Sequence, residues 1–267
     1  MGDHPASRGA PSAPPGGPLR PDRWVVQWFS TLDSTNRWLL DEARGGAPAG
    51  LVAVADHQSA GRGRRGRAWE STPGASLLVS VLLRPRIEPE ALHLVTMRVA
   101  LAFADALESA ARLAVQLKWP NDLVVGERKL AGLLAEAEIV GGSVGAVVVG
   151  VGCNVAQTTF PPELAPTATS VALETGVAPE REALLDTVLE RLDARLDAPP
   201  DSICTDYRTR LSTLDRDVRI ELDEHVIEGR AFDIDEQGRL LVTQPGDGVV
   251  AVAVGDVVHL RAGSSVS

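Results

Sequence analysis

The residues best suited to chemistry fall in a few short stretches. The densest is Gly61-Arg62-Gly63-Arg64-Arg65-Gly66-Arg67, with four arginines and three glycines in seven residues. Glycine lets backbone N–H groups approach an anion closely, and a guanidinium offers paired donors to a carboxylate or phosphate. A ligand carrying several negative oxygens suits that composition. The alternatives are an Arg-Gly tract that binds RNA loosely and a solvated run of charge. A single tract, set inside a folded pattern in an acidic chain, favours an internal anion site. It is not the common phosphate-binding loop, which needs Lys and then Ser or Thr after its last glycine; here Gly66 is followed by Arg67 and Ala68. Gly145, Gly150 and Gly152 lack the spacing of a dinucleotide fingerprint.

A second cluster runs Lys118-Trp119-Pro120-Asn121-Asp122-Leu123, followed by Arg128-Lys129-Leu130-Ala131-Gly132. Two lysines eleven residues apart thus flank a strand–turn–strand, with the Asp122 carboxylate between them. Both ammonium groups could serve one pocket; equally, Asn-Asp is an ordinary turn pair and lysines usually face solvent. Ser34-Thr35-Asn36 reads as a helix N-cap, and the free N–H groups of a helix start also suit an anion or a polar heterocycle. Asn154 closes Gly150-Val151-Gly152-Cys153-Asn154, where it either orients a ligand or satisfies a turn. Cys153 lies in an apolar run and reads as an inert thiol. The five histidines show no pair at metal-ligand spacing, and His57 reads as structural.

Hydrophobic periodicity supplies the elements that must hold these stretches. It predicts strands over 24–29, 51–56, 76–83, 115–118, 123–125, 130–139 and 144–155, and helices over 35–44, 89–112, 180–196 and 202–211. Asp33 or Ser34 caps the 35–44 helix, and Gly45-Gly46 ends it. Residues 61–67 are too glycine-rich and too charged for either state. From 217 onward the pattern changes: Val218, Ile220 and Leu222 alternate with Asp217, Arg219, Glu221 and Asp223, and turn clusters follow at 235–238, 245–248 and 255–256. The expected fold is α+β, a mixed sheet with helices followed by a small antiparallel barrel. The expected divisions are a flexible Pro/Gly-rich tail over 1–22, a body of mixed helices and strands over 23–212, and the barrel over 213–267.

Composition narrows the classes. The chain has 267 residues, 44% apolar and 23% charged, which excludes a wholly disordered or fibrous protein. A net charge of −10 argues against a dedicated nucleic-acid binder. Two cysteines cannot build a disulfide framework or a thiolate zinc site, so a reducing, cytoplasmic setting is expected. Residues 139–162 carry no charge, but glycines and polar residues break the run, and its valine-rich centre reads as a buried strand rather than a membrane span. Residues 1–21 hold six prolines and no apolar core of a secretory signal.

Together and in this order, Ser34-Thr35-Asn36, residues 58–67 with Trp69, and residues 118–123, 128–132 and 150–154 resemble the biotin–protein ligase family. The resemblance implies a fold related to class II aminoacyl-tRNA synthetases and lipoyl ligases, with a C-terminal SH3-like barrel. It implies activation of biotin by ATP to biotinyl-5′-AMP, then transfer to a lysine of a biotin carboxyl carrier domain of acyl-CoA carboxylases. Biotin contacts are carried over to Ser34, Thr35, Asn36, Gln58, Gly61, Arg62, Gly63, Arg64, Lys129 and Gly132. Nucleotide contacts fall on Arg62, Arg65, Trp69, Lys118, Asn121, Lys129 and Asn154, with Trp69 near the adenine. The catalytic set is Lys129, Arg64, Lys118 and Asp122, the last orienting or deprotonating the acceptor amine. Mg²⁺ is expected with ATP, at no site fixed by the protein alone. Only 33 residues precede Ser34, so the winged-helix repressor domain of some members is not expected, and neither nucleic acid nor membrane is an expected partner. A lipoyl or octanoyl ligase is the nearest rival enzyme, and a nucleic-acid-binding module built on residues 62–67 is the non-enzyme alternative.

Overall fold

The structure is a computed structural model that describes residues 23–222, 225–246, 248–253 and 255–259. The expected tail over 1–22, Asp223 and the end of the barrel segment, 260–267, lie outside the described residues. In chain order the elements are β1 (Val25–Leu32), α1 (Thr35–Arg44), β2 (Leu51–Gln58), β3 (Ser76–Leu83), α2 (Leu92–Ala111), β4 (Gln116–Lys118), β5 (Asp122–Val125), β6 (Arg128–Val140), β7 (Ser143–Asn154), α3 (Val171–Thr175), α4 (Arg181–Asp197) and α5 (Pro200–Arg210). The C-terminal segment adds β8 (Arg216–Glu221), β9 (Val226–Ile234), β10 (Leu240–Thr243), β11 (Val249–Val252) and β12 (Asp256–His259). Each predicted strand and helix is present. The predicted 89–112 helix begins with a 3₁₀ turn at Pro89–Ala91 before the α-helix proper. The sequence pattern gives no sign of α3, whose five residues are too few for helical periodicity to register.

The described residues divide into two compact units, one of residues 23–89 and 130–185, the other of residues 90–129 and 186–259. In the first, strands run in the order β1-β2-β3-β7-β6. The β1–β2 pair is parallel and the remaining pairs are antiparallel, so the sheet is mixed as expected. The β1–β2 crossover is α1. Of the two cap candidates, Ser34 is the N-cap: it is extended, and its hydroxyl accepts from the Arg37 N–H. Leu39 and Ala43 of this helix bury against Phe29, Leu51, Leu82, Ala146 and Val148. Full burial of a leucine contributes about 1.5–3 kcal/mol, enough to fix the helix on the sheet. At its other end Arg84 donates to the carbonyls of Ala43 and Ala47 (2.9 and 3.0 Å) and of Gly145 (2.9 Å), satisfying the last turn.

The register decides what lies beyond the helix. Side chains alternate faces along a strand, so Ala146, Val148, Gly150, Gly152 and Asn154 share one face of β7. Ser80 of β3 pairs with Gly150, and Ser76 with Asn154. Gly132 of β6 pairs with Gly152, and Glu136 with Val148. One sheet face therefore passes from the apolar seat of α1 to a strip of glycines bordered by polar side chains.

In the second unit, Arg195 pairs with Asp105 at 2.7 Å and Arg210 pairs with the same carboxylate at 2.8 Å. Arg98 donates to the carbonyls of Leu196 and Ala198 at 3.2 and 2.9 Å, closing the end of α4. The C-terminal strands run β11-β10-β9-β8-β12 with antiparallel pairing throughout. Val218 and Ile220 are buried while Asp217 and Glu221 are exposed, so the sequence alternation holds.

Candidate active site

In the first unit, the start of α1 is wired to the sheet by buried polar groups. The backbone N–H of Thr35 donates to Gln58 Oε1 at 2.8 Å, and Thr35 Oγ1 lies 3.0 Å from the same oxygen. Ser80 Oγ lies 2.7 Å from Thr35 Oγ1 and donates to Asn36 Oδ1 at 2.6 Å. Asn36 Nδ2 donates to the Leu134 carbonyl (3.1 Å) and to Glu136 Oε2 (2.8 Å). That carboxylate oxygen also accepts from Arg62 at 2.8 Å. Ser34, Thr35, Asn36 and Ser80 are buried, so the satisfied network holds one arrangement. The sequence prediction named Ser34, Thr35, Asn36, Gln58 and Arg62 but missed Ser80 and Glu136. The signal for both was register, since each lies on the glycine-bearing face.

The Gly-Arg loop has more structure than its composition predicts. Gly63 N–H donates to Arg67 O at 2.7 Å, Trp69 N–H to Gly61 O at 3.0 Å, and a bridge joins Arg62 to Ala68. A 3₁₀ turn over Arg64–Gly66 tips this ribbon, with Arg65 and Gly66 at φ +54° and +70°. Arg64 is half-buried and Arg65 exposed. A Cβ on Gly61 would stand 2.4 Å from the Trp69 carbonyl, so this glycine serves close backbone approach. Trp69 rests on the sheet: a Cβ on Gly152 would meet its ring at 2.3 Å. Gly132 lies beside Gly152 across the β6–β7 ladder. Asn154 is buried; its Nδ2 donates to Thr169 O at 2.9 Å and its Oδ1 accepts from Ser76 at 3.4 Å. Burial pushes the Cys153 thiol up to about 12, in keeping with an inert thiol.

The second unit holds Lys118, Asn121, Asp122 and Lys129. The β4–β5 ladder pairs Lys118 with Asp122, and Lys129 Nζ lies 2.7 Å from Asp122 Oδ1. Trp119 fixes this segment: its backbone N–H donates to Thr213 Oγ1 and its indole to Gly238 O, each at 3.0 Å. Burial lowers the Lys118 pKa below its ordinary value; Lys129 and Arg216 add to this, and Asp122 and Glu127 oppose it. His259 of β12 belongs to the same cluster and was not singled out from sequence. Its Nδ1 lies 3.3 Å from both Glu127 and Arg216, and its Nε2 3.4 Å from Thr213 Oγ1.

Burial, and then Lys118, lower the His259 pKa below 6.5. The unfolded chain therefore takes up this proton first as pH falls, so the stability is complete above about pH 6.5 and is lost as pH drops through the folded value. Wild type is expected to lose more stability to urea between about pH 7 and pH 5 than His259→Gln does. Equal losses would contradict this assignment.

A guanidinium held beside a buried, directed polar network suits an enzyme that handles a small polar acid. Comparison with known families narrows this class. Residues 28–154 match the Biotin/lipoate A/B protein ligase family, and residues 213–260 match the Biotin protein ligase C terminal domain. The chain belongs to this ligase family, and its C-terminal antiparallel sheet is the SH3-like domain of that second match. It is 42% identical to the biotin--[acetyl-CoA-carboxylase] ligase of Mycobacterium tuberculosis, over 85% of this chain and 86% of that protein. It is 33% identical to the bifunctional ligase/repressor BirA of Escherichia coli, over 90% of this chain and 75% of that protein. The structure resembles the biotin protein ligase from Aquifex aeolicus in complex with biotin and ATP, with TM-score 0.76 and 29% identity, covering 89% and 99% of the two chains. Among the described residues, no helix is long and apolar enough to cross a membrane.

Proposed function

We propose that this chain is a biotin–protein ligase that activates biotin with ATP and transfers it to a protein lysine. The observation carrying this reading is the polar network around Thr35, Asn36, Gln58 and Arg62, in a chain whose structural relative was solved with biotin and ATP. In the first step an oxygen of the biotin carboxylate attacks the α-phosphorus of ATP. The bond to the β-phosphate bridging oxygen breaks, and pyrophosphate leaves with Mg²⁺, which enters as the ATP complex. In the second step a lysine ε-amine of a carrier domain attacks the acyl carbon. The acyl–phosphate oxygen bond breaks, AMP departs, and the amine loses a proton.

The residue roles are those the family resemblance implies, and charge supports them. Bringing a carboxylate to a phosphate opposes two anions, so cations must screen both and hold the charge that builds in the transition state. Arg62, Arg64, Arg65 and Lys129 supply that screen. The biotin end is read by Ser34, Thr35, Asn36, Gln58 and the 61–64 backbone, with Gly132 keeping the floor open. Trp69, Lys118, Asn121 and Asn154 serve the nucleotide, Asn154 by fixing the strand end rather than by a free amide. Asp122, paired with Lys129, orients or deprotonates the incoming amine. The catalytic region is residues 23–212, the barrel 213–267, the carriers are those of acyl-CoA carboxylases, and the setting is cytoplasmic.

The rival acid is lipoate. ATP–pyrophosphate exchange by the purified chain should depend on biotin and should not be driven by lipoate or octanoate at the same concentration. Exchange supported by lipoate and not by biotin would move the chain to the lipoyl branch of its family.

A further inference from the structure

We propose that Glu136 is a positioning residue for the acid substrate: it holds the Arg62 guanidinium in the orientation that presents Nε to the ligand. The inference rests on the reading of Arg62 as a biotin-site residue. Glu136 Oε2 accepts two hydrogen bonds at 2.8 Å, one from the Arg62 guanidinium and one from Asn36 Nδ2. A single carboxylate oxygen thereby ties the Gly-Arg loop to the start of α1. Hydrogen bonds to a carboxylate are short and about twice as strong as neutral ones, so this tie is a firm one.

The Arg62 Nε atom makes the arrangement functional. It is buried and has no hydrogen-bond partner among the described residues. A buried donor left unfilled is costly, and a ligand oxygen would remove that cost. Glu136 occupies one edge of the guanidinium and leaves Nε as the donor on offer. Its strand position agrees: Glu136 follows Gly132 by four residues on the glycine-bearing face, within reach of the loop above it. Loss of the carboxylate frees Arg62 to rotate and releases Asn36 from one of its two Nδ2 acceptors.

The experiment measures biotin KM, ATP KM and kcat for pyrophosphate release in wild type, Glu136→Ala, Arg62→Ala and the double variant. Glu136→Ala is expected to raise biotin KM roughly 10- to 100-fold, the range for a lost charge-assisted hydrogen bond, with ATP KM unchanged. In the Arg62→Ala background the same change should add less than about 3-fold, because the two act as one unit. A merely structural role would lower the melting temperature with biotin KM unmoved, and that result overturns the proposal. So do effects that multiply in the double variant. An Arg62→Ala protein with wild-type biotin KM would instead overturn the underlying reading of Arg62. Should Glu136→Ala fail to fold, Glu136→Gln keeps the shape and removes the charge, and an unchanged biotin KM there overturns the proposal.

Discussion

Lys129→Ala should reduce biotin-dependent pyrophosphate release by more than about 100-fold while leaving the fold intact, because one preorganised charge at a developing anion contributes about that much. Lys129 lies 2.7 Å from Asp122, and both side chains are partly exposed, at 36% and 25%. Asp122 Oδ1, the oxygen that faces Lys129, is itself buried, so losing the ammonium should cost about 1–3 kcal/mol of stability. The larger loss should fall on chemistry. Lys129 is the one residue expected at the carboxylate, at the nucleotide and in the catalytic set at once. Its ammonium is needed while the carboxylate nears the phosphate, so kcat/KM should fall for both substrates. Lys129→Arg should recover little, since a planar guanidinium cannot replace a compact charge held by one carboxylate oxygen. Single-turnover pyrophosphate release checks this; an alanine variant within about threefold of wild type would make Lys129 a bystander.

The second large effect belongs to residues with no side chain. A Cβ on Gly150 would stand 2.1 Å from Asn36 Oδ1 and 3.1 Å from Ser80 Oγ. Asn36 cannot turn aside cheaply, because Ser80, Leu134 and Glu136 all hold its amide. The backbone cannot move aside either, since β7 is paired with β3 on one side and β6 on the other. Gly150→Ala should therefore cost about 1–3 kcal/mol of stability and raise biotin KM at least tenfold, roughly the loss of one hydrogen bond in the network. Gly152→Ala meets the Trp69 ring at 2.3 Å instead, so its effect should appear in ATP KM, with biotin KM changed much less. Steady-state kinetics of the two variants check this split. Identical profiles would contradict the assignment of the two ends of the strip.

Much of this was legible before the structure. The strands and helices with strong periodicity appear where the pattern puts them, because burial of one face decides both. Ser34-Thr35-Asn36 and the Gly-Arg loop stood out by composition and lie within one network. What composition could not supply was register. Gly150 and Gly152 have the wrong spacing for a nucleotide fingerprint, and their purpose emerges only when strand pairing sets them under Asn36 and Trp69. Ser80 and Glu136 look ordinary in a strand, one polar residue among apolar neighbours, until the face they share with those glycines is known. His259 was hidden for a related reason: its partners Glu127 and Thr213 lie 132 and 46 residues away in sequence. Trp119 stands between Lys118 and Asn121, both expected at the nucleotide, and its own hydrogen bonds anchor the segment to residues 213 and 238.

The most direct test of the whole account is transfer of labelled biotin by the purified full chain to a purified biotin carboxyl carrier domain in the presence of ATP and Mg²⁺. Label is expected on the carrier's target lysine, with one AMP released per biotin attached and no label when that lysine is replaced by arginine. No label on the carrier while ATP is still consumed, or labelling that proceeds with lipoate in place of biotin, would contradict it.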